Sequence, residues 1–343
     1  MKILLIQTSF IGDIILLSAA VENLQKYLKP TSIDILINQH SVSLYRGHPI
    51  VRKVLSWDKK KNKYPNLIRL IRQIRKEEYD AVINFHRYFS TGLMTAASGA
   101  DLKAGYTDNP FSFTFRKKVP FSFDKGLHEV DRNHSLLQEA FPVLSSKNLI
   151  RRPVLHPLSE DMSKIETYQR GEYLCMCPSS VWFTKQFPTE RWVELINQLR
   201  FEGNIYLLGA PSDHILCEHI RGRTGAYVTN LAGKLSLLQS AALMQKAVLN
   251  YVNDSAPLHL ASATNAPVCA FFCSTVTDFG FYPLSDFSRV IEVDRKLYCR
   301  PCGKHGHQAC PEKHFRCAFD IEMSQAVAAY QDALTYRKTK KGL

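Results

Sequence analysis

The sequence predicts an α/β protein built from two doubly wound parallel-sheet domains that face each other across a cleft. Three observations support this prediction. A chain of 343 residues is long enough for about two domains of ~150 residues each. Continuous apolar segments, such as residues 2–7 and 173–177, have the pattern of parallel strands that are covered on both faces. Each is followed by a polar turn and a helical pattern, and this alternation recurs in both halves of the chain.

The first domain is expected to span residues 1–160. Its predicted strands and helices alternate along the chain, with strands at residues 2–7, 32–37, 54–57 and 79–85 and helices at residues 14–28, 67–75 and 128–144. The turn after the first strand contains one glycine, Gly12, so the dinucleotide-binding pattern G-x-G-x-x-G is absent, which argues against a dehydrogenase. Asp13 follows at the start of the first helix, where the helix dipole stabilises its charged form. An acidic residue that only stabilises the N-terminus of the helix, without a catalytic role, would occupy the same position.

The predicted helix at residues 67–75 is amphipathic and strongly basic. Apolar and basic residues fall on opposite faces, with Leu67, Leu70, Ile71 and Ile74 on one and Arg69, Arg72, Arg75 and Lys76 on the other. Together with the lysine-rich residues 59–63, this helix is expected either to dock on anionic lipid or to form a solvated outer helix of the domain.

Residues 145–170 lack apolar periodicity and are expected to connect the two domains. The second domain is expected to span residues 161–322, with strands at residues 173–177, 204–209, 227–230, 247–252 and 268–272. A helix from about residue 323 to residue 337 is expected to pack back on the first domain, so residues 323–343 form a separate C-terminal element.

Residues 251–263 carry the strongest local indication of a binding site. A buried strand ends before Asp254 and Ser255, and Pro257 follows in the first helical turn, where its missing N–H costs nothing. A strand that leads into a helix N-terminus at the carboxyl edge of a parallel sheet is suited to bind phosphate. His259 is expected one turn inside this helix, pointing back at a bound anion. An ordinary strand-to-helix turn with a capping serine and a structural histidine explains the same residues.

The composition restricts the cellular setting and the partner. No segment approaches the ~20 apolar residues of a membrane span, and the first eight residues have the pattern of a strand rather than of a cleaved signal peptide. The nine cysteines, an odd number, fit a reducing compartment, so we expect a cytosolic protein. The net charge of +13 favours an anionic partner, which is a nucleic acid, a phosphorylated substrate or an anionic membrane surface.

Four stretches match one known family in the same order along the chain. They are residues 2–17 with Gly12 and Asp13, the segment from Ser179 to Trp192, residues 208–213 and residues 253–259. Together they resemble glycosyltransferase family 9, the lipopolysaccharide heptosyltransferases, and the late cysteine pattern is similar to heptosyltransferase II-like members. The resemblance implies a GT-B fold with an N-terminal acceptor domain and a C-terminal donor domain. It also implies inversion without a metal ion or another catalytic cofactor.

The resemblance assigns roles to individual residues. Asp13 matches the family's catalytic base. The residues that match the donor-binding positions are Ser179, Ser180, Lys185, Asp213, Asp254, Ser255, Ala256 and His259. Many members have glycine in place of Ala256, and the alanine Cβ would make a left-handed backbone costly there. For the acceptor, the expected contacts are His86, Arg87 and His128.

The resemblance also implies the partners and the location. The expected donor is ADP-L-glycero-D-manno-heptose, and the expected acceptor is the lipid A–Kdo inner core of lipopolysaccharide. The surplus positive charge fits such an acidic lipid at the anionic inner-membrane surface, so we expect a monomeric, peripheral protein on the cytoplasmic face that binds no nucleic acid.

The late cysteines are a candidate metal site. Cys299, Cys302, Cys310 and Cys317 are separated by two, seven and six residues and offer four sulfur ligands to a structural zinc ion. These spacings depart from common zinc ribbons, and neighbouring histidines offer competing ligands: His305, His307 and His314. Packed, reduced structural cysteines are the alternative.

Three other functions are compatible with parts of the sequence. A family 9 transferase with a different sugar donor or acceptor would show the same motifs. A degenerate GT-B protein would bind a nucleotide sugar without turnover, which the intact set Asp13, Lys185, Asp254 and His259 argues against. A basic nucleic-acid-binding protein is disfavoured because the aromatic residues are not interleaved with a compact basic stripe.

Overall fold

The computed structural model describes residues 1–59, 63–123, 126–225 and 227–341, and it divides the chain into two compact units, Met1–His156 and Pro157–Leu343. The division falls four residues before the predicted boundary at residue 160. Each unit contains a six-stranded sheet whose paired strands are all parallel. The predicted α/β class with two doubly wound sheets is therefore confirmed.

In the first unit the sheet has the strand order β3-β2-β1-β4-β5-β6. The strands are β1 (Lys2–Ile6), β2 (Ser32–Asn38), β3 (Val51–Trp57), β4 (Ala81–Asn84), β5 (Leu102–Tyr106) and β6 (Lys117–Val119). The helices are α1 (Ile11–Leu16), α2 (Ser18–Leu28), α3 (Lys63–Glu77), α4 (Phe89–Ala96) and α5 (Glu129–Ala140). The central strands β1 and β4 are buried along nearly their whole length, as their continuous apolar sequences predict.

The second unit repeats this topology, with the strand order β12-β11-β10-β7-β8-β9. Its strands are β7 (Tyr173–Cys177), β8 (Asn204–Leu207), β9 (Val228–Asn230), β10 (Asn250–Asn253), β11 (Val268–Phe271) and β12 (Ser288–Ile291). Its helices are α6 (Ser159–Ile165), α7 (Thr189–Leu199), α8 (His214–Arg221), α9 (Leu237–Lys246), α10 (Ala256–Ala263), α11 (Arg316–Phe319) and α12 (Met323–Lys341).

The element boundaries differ from the prediction in a few places. The predicted helix at residues 14–28 is two helices, α1 and α2, with Leu17 between them. The Ser18 hydroxyl donates a hydrogen bond to the carbonyl of Ile15 at 2.7 Å and accepts one from the amide of Val154 at 2.8 Å. Such side-chain hydrogen bonds compete with the helical ladder and bend helices. The short strand β12 has exposed residues at its centre, so it lacks the apolar run that predicts a buried strand.

The final helix packs on the second unit, whereas the sequence led us to expect packing on the first domain. Ala326, Ala329 and Ala333 of α12 are buried in the hydrophobic core of the second unit. The Tyr251 hydroxyl, on β10, donates to the carbonyl of Ala326 at 2.8 Å. Because alanine side chains are small, this face of α12 packs closely against the core of the second unit.

The basic helix α3 has the predicted amphipathic arrangement. Leu67, Leu70 and Ile74 are buried, and Arg69, Arg72 and Arg75 are exposed, as the sequence predicts. Residues 60–62 of the lysine-rich segment lie outside the described residues. In the described part of the chain, no helix combines the length and the apolar character that crossing a membrane requires.

Candidate active site

Both sheets have a topological switch point, where the loops after two neighbouring strands diverge and leave a crevice. In the first unit this point lies between β1 and β4, and in the second between β7 and β10. Asp13 and His86 follow the first pair of strands, and Lys185 and Asp254 follow the second pair. The sequence therefore predicted site residues at the position in each sheet where ligands bind.

Asn253 organises the switch point of the second unit. Its side chain is fully buried, and its Oδ1 accepts the amide hydrogen of Phe187 at 2.9 Å. Its Nδ2 donates to the carbonyls of Pro178 at 2.9 Å and Ser179 at 3.3 Å. The side-chain amide of Asn253, at the end of β10, thus holds both ends of the loop that carries Lys185 by hydrogen bonds. Asn253 was not predicted as a site residue, although a polar side chain at the end of a buried strand indicates a hydrogen-bonding role.

Lys185 and Asp254 form a largely buried ion pair. Lys185 Nζ lies 2.6 Å from Asp254 Oδ2, and the two side chains are 16% and 7% exposed. The Thr275 hydroxyl donates to the same carboxylate oxygen at 2.6 Å. The pair fixes the lysine ammonium beside the start of α10, because Asp254 directly precedes the helix-capping residue Ser255.

The N-terminus of α10 is open to an anion. Ser255 is the N-cap residue, with extended backbone angles φ −157° and ψ −179°, and in the described structure its side chain makes no capping hydrogen bond. Ala256 is the first helical residue and has no positive φ, so the predicted cost of an alanine here does not arise. Pro257 has no N–H, and the Leu258 amide donates to the Ser255 carbonyl at 3.1 Å. This turn therefore offers a ligand the Ala256 amide and the positive end of the helix dipole.

The other predicted donor residues lie in the same loops. The Ser179 hydroxyl donates to Asp213 Oδ2 at 2.8 Å, and the amide of Ala210 donates to the same oxygen at 2.7 Å. Asp213 thereby caps its own short 3-10 turn and orients Ser179. Ser180 is held through its backbone carbonyl, which accepts the Gln186 side-chain amide at 2.7 Å. His259 is 4% exposed, and its ring lies 6.1 Å from that of Phe281.

The cysteine-rich segment, residues 299–317, supports the Lys185 loop. The Thr184 hydroxyl oxygen accepts the amide hydrogen of His307 at 2.8 Å and the hydroxyl of Ser274 at 3.1 Å. Gly306 has φ +80°, and a Cβ on it would lie 2.9 Å from Thr184 Oγ1 and 3.1 Å from Lys185 Cγ. Glycine is therefore required where this segment approaches the loop.

All four predicted metal ligands in this segment are free thiols. Cys317 is buried, and burial together with the nearby Cys310 and Cys299 raises its pKa to about 12. The sulfur of Cys310 accepts the amide hydrogen of Phe315 at 3.4 Å. Among the described residues, the three-donor group whose ligand atoms lie within 4.8 Å of one another is formed by other side chains, Glu22, His48 and His156. Zinc binding by the cysteines stays a prediction.

In the first unit, Asp13 lies in the first turn of α1, and its carboxylate accepts the amide hydrogen of Phe10 at 3.2 Å. Glu129, the first residue of α5, is a second carboxylate, and it interacts electrostatically with Asp13. Burial, together with the negative charge of Asp13, raises the pKa of Glu129 to about 7. Arg132 Nε donates to Glu129 Oε2 at 2.8 Å, and both side chains are nearly fully buried. Glu129 and Arg132 were not predicted as site residues, because no sequence motif connects α5 with α1.

A pocket of roughly 380 Å³ opens at the switch point of the first unit. It is lined by Thr8, Ser9, Phe10, Trp57, Lys59, Lys63, His86, Tyr88, Ser90 and Thr91. His86 Nδ1 lies 3.3 Å from the hydroxyls of both Thr8 and Thr91. Burial, with the positive charges of Lys59 and Arg87, lowers the pKa of His86 to about 3, so its imidazole is neutral at physiological pH.

The two remaining predicted acceptor residues have different surroundings. The Arg87 guanidinium lies 3.6 Å from the centroid of the Phe121 ring and 3.7 Å from the Asp108 carboxylate. His128 is completely buried and is the N-cap of α5, where its Nδ1 accepts the amide hydrogen of Val130 at 3.1 Å. Its position is that of a structural helix cap rather than of a ligand contact.

The two switch points are suited to different chemistry. The second unit offers an oriented ammonium, serine side chains and a helix N-terminus, which together suit a diphosphate. The first unit offers a partly exposed carboxylate and a polar pocket with aromatic walls, which suit proton abstraction from a bound hydroxyl compound.

Comparison with known proteins agrees with this arrangement. The model of the family described as glycosyltransferase family 9 (heptosyltransferase) matches residues 67–314. Lipopolysaccharide heptosyltransferase 3 of Escherichia coli is 25% identical over 284 residues, which cover 78% of this chain and 82% of that protein. The structure of E. coli ADP-heptose lipopolysaccharide heptosyltransferase II superposes with a TM-score of 0.81 at 21% identity, over 98% of this chain and 100% of that one. A family 9 glycosyltransferase from Veillonella parvula DSM 2008 gives a TM-score of 0.85 at 20% identity, over 98% and 97% of the two chains. The superpositions confirm the predicted GT-B fold.

Proposed function

The chain belongs to glycosyltransferase family 9 and is a glycosyltransferase, and we propose that it transfers heptose to the inner core of lipopolysaccharide. The proposed donor is ADP-L-glycero-D-manno-heptose, and the proposed acceptor is a Kdo-bearing lipid A. Membership in a transferase family favours this function over the nucleic-acid-binding alternative. The relatives named as lipopolysaccharide heptosyltransferases support the sugar and the acceptor class.

The ion pair of Lys185 and Asp254 beside the open N-terminus of α10 is the observation that carries the proposal. When the glycosidic bond to the diphosphate breaks, negative charge accumulates on the leaving phosphate oxygens. A lysine ammonium already held at 2.6 Å by Asp254 needs little reorganisation to stabilise that charge. The Ala256 N–H and the positive end of the helix dipole at the start of α10 favour negative charge in the same region. Ser179, whose hydroxyl proton is donated to Asp213 at 2.8 Å, offers its oxygen to the nucleotide as a hydrogen-bond acceptor.

Asp13 is the proposed general base. The acceptor hydroxyl oxygen forms a bond to the anomeric carbon of the heptose, its proton passes to the Asp13 carboxylate, and the bond to the diphosphate breaks to release ADP. Attack from the side opposite the leaving group inverts the anomeric centre. The base must therefore be separate from the phosphate-binding residues, and Asp13 belongs to the first unit whereas Lys185 and Asp254 belong to the second.

The residues proposed to neutralise the diphosphate are a lysine, serines and backbone amides, which supports transfer without a catalytic metal ion. We further propose that the enzyme works at the cytoplasmic face of the inner membrane. The exposed arginines of α3 support this location, since each basic residue near an anionic surface contributes about 1 kcal/mol to binding.

A ligand screen and a transfer assay test the proposal together. ADP and ADP-heptose should raise the unfolding temperature more than UDP, GDP and their sugars at equal concentration, because the stabilisation by a ligand of the folded state rises with the logarithm of its concentration divided by its Kd. Heptose transfer to Kdo-bearing lipid A should continue in excess EDTA. Preferential stabilisation by a different nucleotide sugar would favour the alternative, a family 9 transferase with another donor. Stabilisation by ADP-heptose without turnover on any acceptor would indicate a protein that binds the donor only.

A further inference from the structure

We propose that Glu22, His48 and His156 in the first unit form a binding site for a divalent transition-metal ion, with zinc as the best match. This site is independent of the proposed heptosyl transfer. One ligand atom from each of the three side chains lies within 4.8 Å of the other two. The three residues come from separate parts of the chain: α2, the turn after residues 39–45, and the last residue of the unit.

The geometry is close to what a tetrahedral ion requires. His156 Nε2 lies 3.1 Å from Glu22 Oε1. Two ligands of a tetrahedral zinc ion, each about 2.0–2.1 Å from the metal, are separated by about 3.3 Å. The imidazole rings of His48 and His156 are perpendicular, with centroids 4.5 Å apart. Small side-chain rotations therefore bring the three donor atoms onto one ion.

His48 supplies an independent indication of a ligand. Its side chain is 6% exposed, and its Nε2 is a buried nitrogen with no hydrogen-bond partner among the described residues. Buried polar atoms in native proteins are nearly always partnered, so an orphaned nitrogen on a ring that belongs to this three-donor group calls for an occupant.

Metal binding would require His48 to change its tautomer. Its Nδ1 accepts the amide hydrogen of Ile50 at 3.3 Å, which places the ring proton on Nε2. Coordination through Nε2 moves that proton to Nδ1, so the long hydrogen bond from Ile50 is lost. The amide of Ile50 is therefore a local reporter of metal binding at His48.

The donor set selects the class of ion. Two imidazole nitrogens and one carboxylate suit zinc, cobalt and nickel, whereas magnesium and calcium prefer oxygen ligands. Three protein ligands leave a fourth position, and the partial exposure of Glu22 and His156, 18% and 33%, gives water access to it. A bound ion would link His156, the last residue of the first unit, to Glu22 of α2.

Titration of the chelator-treated, full-length protein with Co²⁺ and Zn²⁺ tests the site. Wild type should bind one Co²⁺ with visible bands typical of nitrogen and oxygen ligands and without the intense near-ultraviolet band of thiolate ligation. Glu22→Gln and His156→Gln should each weaken this binding more than ~10-fold, since even outer-shell partners of metal ligands contribute 10–100-fold. His40→Gln, which alters an exposed histidine in the same unit, is the matched control and should bind as wild type does.

A second measurement keeps the test independent of folding defects in the variants. Added Zn²⁺ should shift the amide signal of Ile50 in wild type and raise the unfolding temperature of wild type and His40→Gln alone. The proposal is overturned if both site variants bind Co²⁺ as tightly as wild type, or if the only metal bound is held by thiolates, which would assign it to the cysteine-rich segment. An unchanged Ile50 signal at saturating Zn²⁺ would also overturn it.

Discussion

The site residues at the switch points of the two sheets are held in place by different kinds of side-chain interaction. In the second unit, loop residues are fixed by a chain of short hydrogen bonds around Asn253, Asp254 and Asp213. In the first unit, a buried Glu129–Arg132 pair lies within the electrostatic influence of a more exposed Asp13. The loops of the second unit are thus held in place for the proposed diphosphate ligand, whereas the first unit holds a buried carboxylate, Glu129, whose pKa is raised by burial and by the charge of Asp13.

This difference follows from the chemistry that each site is proposed to perform. Stabilising a leaving diphosphate requires donors that do not move, because reorganisation would cost part of the electrostatic gain. A general base must accept and release a proton, so its carboxylate has to be accessible, and Asp13 is partly exposed. Mutations should therefore affect rate and pH dependence in the first unit, and donor affinity and stability in the second.

The largest effect is expected from Asp13→Asn, which keeps the shape of the side chain and removes its charge. Loss of general-base assistance should slow transfer by about 10²–10⁴-fold while ADP-heptose affinity stays near wild type. Single-turnover kinetics with saturating acceptor, together with donor titration, measure the two quantities. Asp101→Asn, in an exposed loop of the same unit, is the control. If Asp13→Asn retained most of its turnover, Asp13 would be only a helix charge.

Glu129→Gln tests the pH dependence of the first unit. The pKa of Glu129 is raised from 4.5 to about 7, so the folded state holds a proton that the unfolded state has released between these values. Its contribution to stability is complete below pH 4.5 and is lost as the pH rises through 7. At about 1.36 kcal/mol per pKa unit, wild type should lose up to about 3 kcal/mol of unfolding free energy from this group.

Urea unfolding between pH 4.5 and 8 measures how the free energy of unfolding depends on pH. In Glu129→Gln, the decrease that Glu129 causes in wild type should be absent. Glu139→Gln, on the same helix with a half-exposed side chain, should keep the wild-type slope and serves as the control. Identical slopes in wild type and both variants would show that Glu129 is ionised throughout, and that its neighbours do not raise its pKa.

Lys185→Ala should weaken donor binding by roughly 1.5–3 kcal/mol, the usual contribution of a charge-assisted hydrogen bond. It also leaves the nearly buried Asp254 without its cation, so the unfolding temperature without ligand has to be measured separately. Calorimetric titration with ADP gives the affinity, and Lys164→Ala removes a surface lysine from an exposed ion pair as a control. ADP affinity equal to that of wild type would remove Lys185 from the donor site.

The smallest effect is expected from Thr275→Val, which deletes the hydroxyl that donates to Asp254 at 2.6 Å and conserves the side-chain volume. The buried threonine should contribute about 1 kcal/mol to stability. Donor affinity should change less than in Lys185→Ala, because the ion pair remains. A loss of affinity as large as that of Lys185→Ala would mean that Thr275 itself contacts the donor.

The central strands of both sheets, and the residues that follow β1, β4, β7 and β10, could be predicted from the sequence, whereas the short edge strand β12 could not. The predicted elements follow from short-range patterns, because an apolar run with a polar turn is recognisable within a dozen residues. Since the carboxyl ends of parallel strands lie at one edge, the same patterns placed Asp13 and Asp254 in candidate sites. The resemblance to family 9 added roles to these positions.

The contacts between side chains far apart in sequence became evident from the tertiary structure alone. The approach of Glu129 to Asp13, the hydrogen bonds of the Asn253 side chain, and the contact of Gly306 with the Lys185 loop join residues far apart in sequence. The burial of His128 and the meeting of Glu22 with His156 are of the same kind. Desolvation and hydrogen bonding depend on the complete set of neighbours in space, and a linear pattern does not specify that set.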